Sequence, residues 1–420
     1  MAGSILAVVR VAVVKRVIPW LLLALAVVWH VHELLGPTWE RVLAAPHARD
    51  FASYFYAVQA ADVGRDPYDM GVLSELARAD GTRGSVHPFF YPPPFLLTMV
   101  WALPLTLEQA YHSWYVLDSL ALVVLLLGLY RWLPGPGTVV GMAAVLAVYS
   151  PIHDNHWMGQ ANLPVLAAVV WALLLARDRP RLAGFWMGLA CMMKMSPGLL
   201  VAWWLVQRRW LPALWACVWA LVLSVAALPL VDLDTQARFF LEILPGFGTG
   251  DYNGLTVPIL LPGNHSLPNL FAQAFDNRRV LTEPALSYAR YANLGLMLGS
   301  LLLLARRQRS QLGAAAAAGA ISVVMLLVPV YTYEHHLTMA ILPVVAAAAA
   351  IADGRLGRVW AGALALAFAA LAWPWGAVKG AAKQADGHAA WALIEAKFFA
   401  LVVLGAACLV VAWRDRERDA

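Results

Sequence analysis

The chain has 420 residues, of which 61% are hydrophobic and only 13% are charged. Soluble domains carry roughly 25% charged residues, so this composition excludes a soluble enzyme and a disordered chain. The net charge of +5 does not indicate nucleic-acid binding, because the basic residues lie in short clusters between apolar runs, as in cytoplasmic loops of membrane proteins. Cys191, Cys217 and Cys408 lie inside apolar runs, which is typical of buried free thiols, and have no metal-ligand spacing.

Long apolar runs predict the membrane segments in chain order. The runs cover residues 17–35, 110–131, 138–152, 161–176, 182–206, 211–231, 287–305, 313–331, 336–352, 358–374 and 391–413. The run 182–206 has basic clusters at both ends and is interrupted from Lys194 to Pro197, which predicts two short helices that meet there. We therefore expect an all-α integral membrane protein, one polytopic domain over 1–420, with about 12 membrane segments and both termini in the cytoplasm.

This topology predicts two long loops on the outer side of the membrane. The first spans 36–109 and contains surface helices, including a short helix from Pro94 to Leu107 that does not cross. The second spans 232–286. Two short outer turns are expected at His153–Gln160 and Tyr331–His336. Loops longer than about 12–15 residues are usually functional or disordered, so the outer side is expected to carry the site.

The first outer loop offers one candidate base. Asp50 and Tyr54 are four residues apart, so a helix would place them on one face. Asp50 is either a general base above a cavity or the N-cap of a helix over 51–62. Tyr91 belongs to the stiff segment His87–Pro94, which could wall a sugar or lipid site, although a structural hinge is the favoured interpretation.

Further polar residues cluster at the other outer turns. His156, Gln160 and Asn162 are residue types that contact sugars, and a self-capping turn is the alternative. Lys194 lies in mid-membrane, where a charge needs a partner such as a phosphate or a carboxylate. The last candidates lie in a polar turn at 264–265 and at the start of a span at 334–336. A histidine at the span start could bind a phosphate or be hydrogen-bonded to water. These candidates are Asn264, His265, Glu334, His335 and His336.

Several local patterns, in this order, resemble glycosyltransferase family 87. They are Asp50-Phe51 with Tyr54 and Tyr56, Gly64 with Pro67-Tyr68-Asp69, Tyr91-Pro92-Pro93, Gly159-Gln160 with Asn162, Lys194-Met195-Ser196-Pro197, Asn264 with Ser266-Leu267, and His335-His336. The resemblance implies the C-type membrane glycosyltransferase fold and a polyprenyl monophosphate sugar donor, used at the outer face. The sugar would be mannose or, next, arabinofuranose, and the acceptor a cell-envelope glycolipid or glycan.

The resemblance also implies site roles. Asp50 matches the family's catalytic carboxylate, Lys194 matches the lysine at the broken helix, and the histidine pair matches the late histidine, for which His336 is favoured over His335. The sequence departs from the pattern at Asp118, where a neutral amide is expected. It departs again at Met195-Ser196, where aromatic or aliphatic residues are commoner. These departures bear on the sugar and the acceptor more than on the chemistry.

The expected reaction is an inverting transfer with Asp50 as the single base. A phosphate leaving group needs cations rather than a proton, and Lys194, His335 and His336 would supply that contact. The predicted substrate contacts are Tyr54, Tyr91, His156, Gln160, Asn162, Asn264, His265 and Glu334.

No metal or cofactor is expected. The expected partners are the lipid-linked donor, the acceptor and the bilayer of the plasma membrane. The alternative is a lipid or solute transporter or flippase, which would explain Lys194 but not the outer loops.

Overall fold

The computed structural model describes residues 17–44, 49–82, 86–256, 262–275 and 283–416. These residues are almost entirely helical. The helices are α1 (Ile18–Glu33), α2 (Trp39–Leu43), α3 (Arg49–Asp62), α4 (Met70–Ala79), α5 (Leu107–Trp132), α6 (Pro136–Val148), α7 (Pro151–Met158), α8 (Asn162–Leu175), α9 (Pro180–Met193), α10 (Gly198–Val206), α11 (Trp210–Ala226), α12 (Leu233–Arg238), α13 (Leu244–Gly246), α14 (Leu267–Phe275), α15 (Glu283–Leu303), α16 (Gln311–Leu327), α17 (Ile341–Ala352), α18 (Arg358–Ala372), α19 (Trp375–Gln384) and α20 (Gly387–Arg414).

Short segments of other geometry connect these helices. Two are π-helical, Leu34–Thr38 and Phe239–Ile243, and three are 3-10 helices, Pro93–Ala102, Phe247–Thr249 and Glu334–Ala340. Strands β1 (Asp251–Tyr252) and β2 (Leu255–Thr256) form one antiparallel hairpin, in which Asp251 pairs with Thr256.

The long apolar helices make this an integral membrane protein, as the composition predicts. Four helical stretches in the described part of the chain are long and apolar enough to cross a bilayer alone: Ile18–Leu43, Leu107–Trp132, Glu334–Ala352 and Gly387–Arg414. Two bent pairs, α6 with α7 at 57° and α18 with α19 at 97°, raise this number to six if each pair is one span. Further apolar helices are shorter, so the count of 12 segments stays a prediction.

The interrupted run 182–206 is folded as two helices, α9 and α10, that meet at Lys194–Pro197. Gly184 lies against Trp215 and Gly188 lies against Trp219, so α9 and α11 run in the same direction. Since two successive parallel helices need a return between them, α10 must carry the chain back. A Cβ on Gly184 would lie 2.3 Å from the Trp215 Cβ, and only glycine permits this approach.

Several of the basic clusters meet at one face of the molecule. The Arg309 amide donates to the Asp415 carbonyl at 2.9 Å, Arg355 pairs with Asp415, and Arg307 donates to the Arg208 carbonyl at 3.2 Å. Helix α16 starts at this basic face, and its 17 residues span about 25 Å at 1.5 Å per residue. The segment 331–336 that follows α16 therefore lies near the opposite face, together with the polar residues described below.

The segments predicted to lie on the outer side are more helical than expected. The expected turn His153–Gln160 is largely helix α7, which begins at Pro151, ends at Met158 and is capped by Gly159. Gly159 has a positive φ of 67°, and a Cβ there would lie 2.6 Å from the Phe51 Cβ, so glycine is required on both counts. The expected helix Pro94–Leu107 is present as the 3-10 segment Pro93–Ala102. At about 2.0 Å per residue its length is only ~20 Å, too short to cross a core of ~30 Å.

Candidate functional site

A cavity of about 880 Å³ opens beside the first turn of α3. Its polar wall comes from α3, the segment after residue 86, the break between α9 and α10, and the segment 331–336. The polar residues in that wall include Asp50, His87, Gln160, Lys194, His335 and His336. The cavity continues between α10, α15 and α16 as an apolar arm, lined by Leu199, Ala202, Leu294, Met297, Met325 and Val328 among others.

Asp50 is held at the polar end by two side chains. His87 Nδ1 lies 2.7 Å from one carboxylate oxygen, and Gln160 Nε2 donates to the other at 2.7 Å. Asp50 lies within the first turn of α3 and spends both oxygens on these partners, so the N-cap interpretation does not describe its contacts. Burial alone would raise the pKa of this carboxyl, but the His87 hydrogen bond, the charges of His335 and His87, and the Gln160 amide together hold it below its usual value.

A directional chain of hydrogen bonds fixes the Gln160 amide. The Tyr54 hydroxyl donates to the Tyr91 hydroxyl at 2.7 Å, Tyr91 donates to Gln160 Oε1 at 3.1 Å, and Gln160 Nε2 then faces Asp50. Burial raises the pKa of both tyrosines, and the nearby Asp50 charge adds to it. Both tyrosines therefore stay neutral donors, and consecutive bonds of this kind strengthen one another.

Lys194 reaches the site from the tip of the broken helix pair. Its Nζ donates to Asn162 Oδ1 at 2.5 Å, and Asn162 Nδ2 donates to the His335 carbonyl at 3.0 Å. Within the described ranges, no carboxylate lies at salt-bridge distance from Lys194. A half-buried ammonium with only a neutral amide partner keeps two donors for an anion, which favours the phosphate over the carboxylate as its missing partner.

His336 is oriented by the backbone of its own segment. The Tyr333 amide donates to His336 Nδ1 at 3.0 Å. A backbone N–H can only donate, so Nδ1 must be the acceptor and the ring proton must be on Nε2. The His336 ring lines the cavity, and its Nε2–H is the one donor that it can offer to an anionic oxygen.

Two predicted contacts lie behind the cavity wall and support it. Asn162 links Lys194 to Asn155, whose Oδ1 accepts from Asn162 Nδ2 at 3.0 Å. His156 is 1% exposed, and its Nδ1 lies 2.7 Å from Asp118 Oδ2, while Asn155 Nδ2 donates to the same oxygen at 2.8 Å. Asp118, the departure noted in the sequence, is thus the buried partner of His156 and does not face the cavity.

Three other predicted contacts form a separate buried cluster. This cluster joins the loop at 264–265 to the segment 331–336. The Thr332 amide donates to Asn264 Oδ1 at 2.9 Å, and His265 Nε2 lies 2.8 Å from Glu334 Oε1. None of the three lines the cavity. Of the twelve predicted site residues, the structure brings six into the cavity wall: Asp50, Tyr91, Gln160, Lys194, His335 and His336.

The cavity wall also contains residues that the sequence did not single out. Four aromatic rings in the wall form a continuous arc: the ring centroid of Phe90 lies 5.4 Å from that of Tyr252, Tyr252 lies 5.2 Å from Tyr331, and Tyr331 stacks on Tyr333 at 6.0 Å. Arg290 adds a cation from α15. The sequence does contain a pattern that indicates this wall of α15, because six of its lining residues share one helix face at spacings of three and four. They are Leu286, Ala289, Arg290, Asn293, Leu294 and Met297.

The arrangement suits a long apolar molecule with an anionic head. The arm between α10, α15 and α16 can bury a hydrocarbon chain, and Lys194 and His336 line the same cavity. The same space borders one ionised carboxylate, Asp50, which can accept a proton from a hydroxyl. The aromatic arc provides flat faces of the kind on which sugar rings pack.

The fold and this cavity define a polytopic membrane protein whose candidate functional site is a mixed polar and apolar cavity near the face opposite the basic residues. The sequence profile of glycosyltransferase family 87 matches residues 89–329, more than half of the chain. The chain belongs to glycosyltransferase family 87 and is a membrane glycosyltransferase, as the ordered motifs predicted. The matched region includes Tyr91, Gln160, Lys194 and Asn264. No curated protein matches the chain.

Proposed function

We propose that the protein transfers a sugar from a polyprenyl monophosphate donor to a hydroxyl of a cell-envelope glycolipid or glycan. Mannose is the first candidate for the sugar and arabinofuranose the second. The observation that carries the proposal is the single cavity that joins Asp50, Lys194 and His336 to an apolar arm. A prenyl chain fits the arm, and its phosphate then meets two groups that can donate to it.

The reaction is a single displacement with inversion. Asp50 takes the proton of the acceptor hydroxyl while that oxygen bonds to the anomeric carbon of the donor. The bond from this carbon to the phosphate oxygen breaks at the same time. Polyprenyl phosphate leaves with its added negative charge beside the Lys194 ammonium and the His336 Nε2–H, which stabilise it. One carboxylate is sufficient, because no covalent sugar–enzyme intermediate forms.

The chain topology supports an outer site. Basic residues next to span ends favour the cytoplasm, and the cavity lies near the opposite end of α16. We therefore propose the C-type glycosyltransferase architecture in the plasma membrane, with the basic face and both termini cytoplasmic. Donor and acceptor would then meet on the outer side.

The test compares wild type with Asp50→Asn and the matched control Asp62→Asn, a carboxylate at the exposed end of the same helix. Each purified protein is incubated with polyprenyl-phospho-mannose and a membrane glycolipid extract, and transferred sugar is counted. Wild type and Asp62→Asn should transfer equally, and Asp50→Asn should be slower by a factor of ~100 or more. An active Asp50→Asn protein overturns the base assignment. A wild type inactive with this donor and with polyprenyl-phospho-arabinofuranose overturns the donor class.

A further inference from the structure

A second group of buried ionisable side chains lies behind the segment 331–336. Glu334 is 7% exposed, Lys397 is 1% exposed and His265 is fully buried. Lys397 Nζ donates to Glu334 Oε2, and His265 Nε2 lies 2.8 Å from Glu334 Oε1. Lys397 projects from the interior of the apolar helix α20, where an ionisable side chain is costly to insert and therefore calls for a role.

The same region grips the backbone of the segment. Asn264 Nδ2 donates to the Val330 carbonyl at 2.9 Å, and the Thr332 amide donates to Asn264 Oδ1 at 2.9 Å. The His265 amide donates to the Thr332 carbonyl at 2.8 Å. The backbone of the segment 331–336 and the Glu334 side chain therefore both bond to the loop before α14. The Glu334 side chain also bonds to Lys397 of α20.

The opposite side of this segment faces the cavity. Glu334 is directed to Lys397 and His265, whereas the next two residues, His335 and His336, line the cavity. The ring of His336 takes its direction from the segment backbone, through the Tyr333 amide. Any movement of the Glu334 anchor therefore displaces the Nε2–H donor of His336.

Stability alone is a poor reason to retain such a group. A buried ion pair can often be replaced by apolar residues of similar volume with no loss of stability, because desolvation offsets the attraction. A fixed anchor, by contrast, supplies what a phosphate-binding donor needs, namely a rigid supporting shell.

We infer that Lys397 and His265 are positioning residues that act through Glu334 to hold the His336 ring against the phosphate of the donor. This inference rests on the proposed function, because it assigns the purpose of the anchor to the leaving phosphate. It adds two residues, from α20 and the loop before α14, that have no contact with the cavity.

A double-mutant cycle tests the inference. One side of the cycle is Glu334→Gln with Lys397→Met, which removes both charges together and leaves no unpaired buried ion. The other side is His336→Asn. The paired replacement should lower kcat by about 10–100-fold, the usual range for a supporting contact. In the His336→Asn background, the paired replacement should lower kcat by no more than about threefold further, because the His336 ring that Glu334 positions is already absent.

Controls separate positioning from general damage. Glu395→Gln changes a neighbouring buried carboxyl that accepts from Gln273 and Asn269 and does not bond Glu334, and should leave kcat within about twofold of wild type. If the paired replacement does not fold, Glu334→Asp keeps the charge but shortens its reach, and should show the same dependence on His336. If the two losses of kcat multiply in the variant that combines the paired replacement with His336→Asn, this inference is wrong and the proposed function is unaffected. A wild type without transfer overturns the proposed function and this inference with it.

Discussion

Replacing His87 with phenylalanine isolates the electrostatic support of the base. The phenylalanine ring keeps a flat shape of similar size but removes the Nδ1 donor 2.7 Å from Asp50. A hydrogen bond to a charged group contributes about 1.5–3 kcal/mol, and one pKa unit corresponds to about 1.4 kcal/mol. The His87 side chain is 48% exposed, so solvent replaces part of the bond. Loss of the bond should therefore raise the pKa of Asp50, with an energetic cost at the lower end of this range.

The sign of the effect on activity follows from the proposed role of Asp50 as the base. A base works only when ionised, so a raised pKa moves the acidic limb of the kcat/KM profile to higher pH. At the foot of that limb, activity should fall about tenfold relative to wild type. At pH 7 the carboxyl is ionised in both proteins, because His335, Lys194 and the Gln160 amide still face it. Little change is expected there.

The assay is sugar transfer measured from pH 4 to pH 8 with fixed donor and acceptor. His87→Asn is the matched control, because its amide nitrogen can replace Nδ1 and should restore a profile close to wild type. If His87→Phe and wild type have the same acidic limb, His87 does not influence Asp50 and the reasoning fails. A uniform loss at every pH would show instead that His87 only shapes the cavity.

Two further predictions concern the broken helix pair. Lys194→Met removes a charged donor worth about 1.5–3 kcal/mol, so kcat/KM for the donor should fall by about 10–100-fold in steady-state titrations, and an unchanged value would exclude Lys194 from phosphate binding. Gly184→Leu forces a side chain into Trp215 and should destabilise the protein by about 1–3 kcal/mol, seen as a lower Tm. Gly295→Leu, where nothing lies within 4 Å of a Cβ, should leave Tm unchanged, and equal Tm values for both variants would refute the packing argument.

The sequence predicted the structure best where a polar residue or a proline interrupts an apolar run. A lysine and a proline inside an apolar run predicted the break at Lys194–Pro197, because a straight helix there would bury a charge and lose a backbone bond. Helical spacing placed Asp50 and Tyr54 on one face, and both belong to the hydrogen-bonded group at the cavity. Such features depend on local chemistry, which the sequence carries directly.

Contacts between distant segments were not predictable. His87 was interpreted as part of a stiff aromatic segment, and its bond to Asp50 joins residues 37 positions apart. Asn264, His265 and Glu334 were recognised as polar but assigned to the substrate, since a sequence does not tell whether a polar group faces a cavity or a neighbour. Lys397 was missed because its partner Glu334 lies 63 residues away.

The hydrogen-bond chain that ends at Asp50 also determines where the proton of the reaction can go. Gln160 meets the carboxylate through an amide nitrogen, which cannot accept a proton, so the route through Tyr91 and Tyr54 into the protein is closed. In the proposed reaction, the proton that Asp50 accepts would leave through the cavity or beside the half-exposed His87. The proposed transfer would then move no proton across the bilayer, and the transmembrane proton gradient would neither drive nor oppose it.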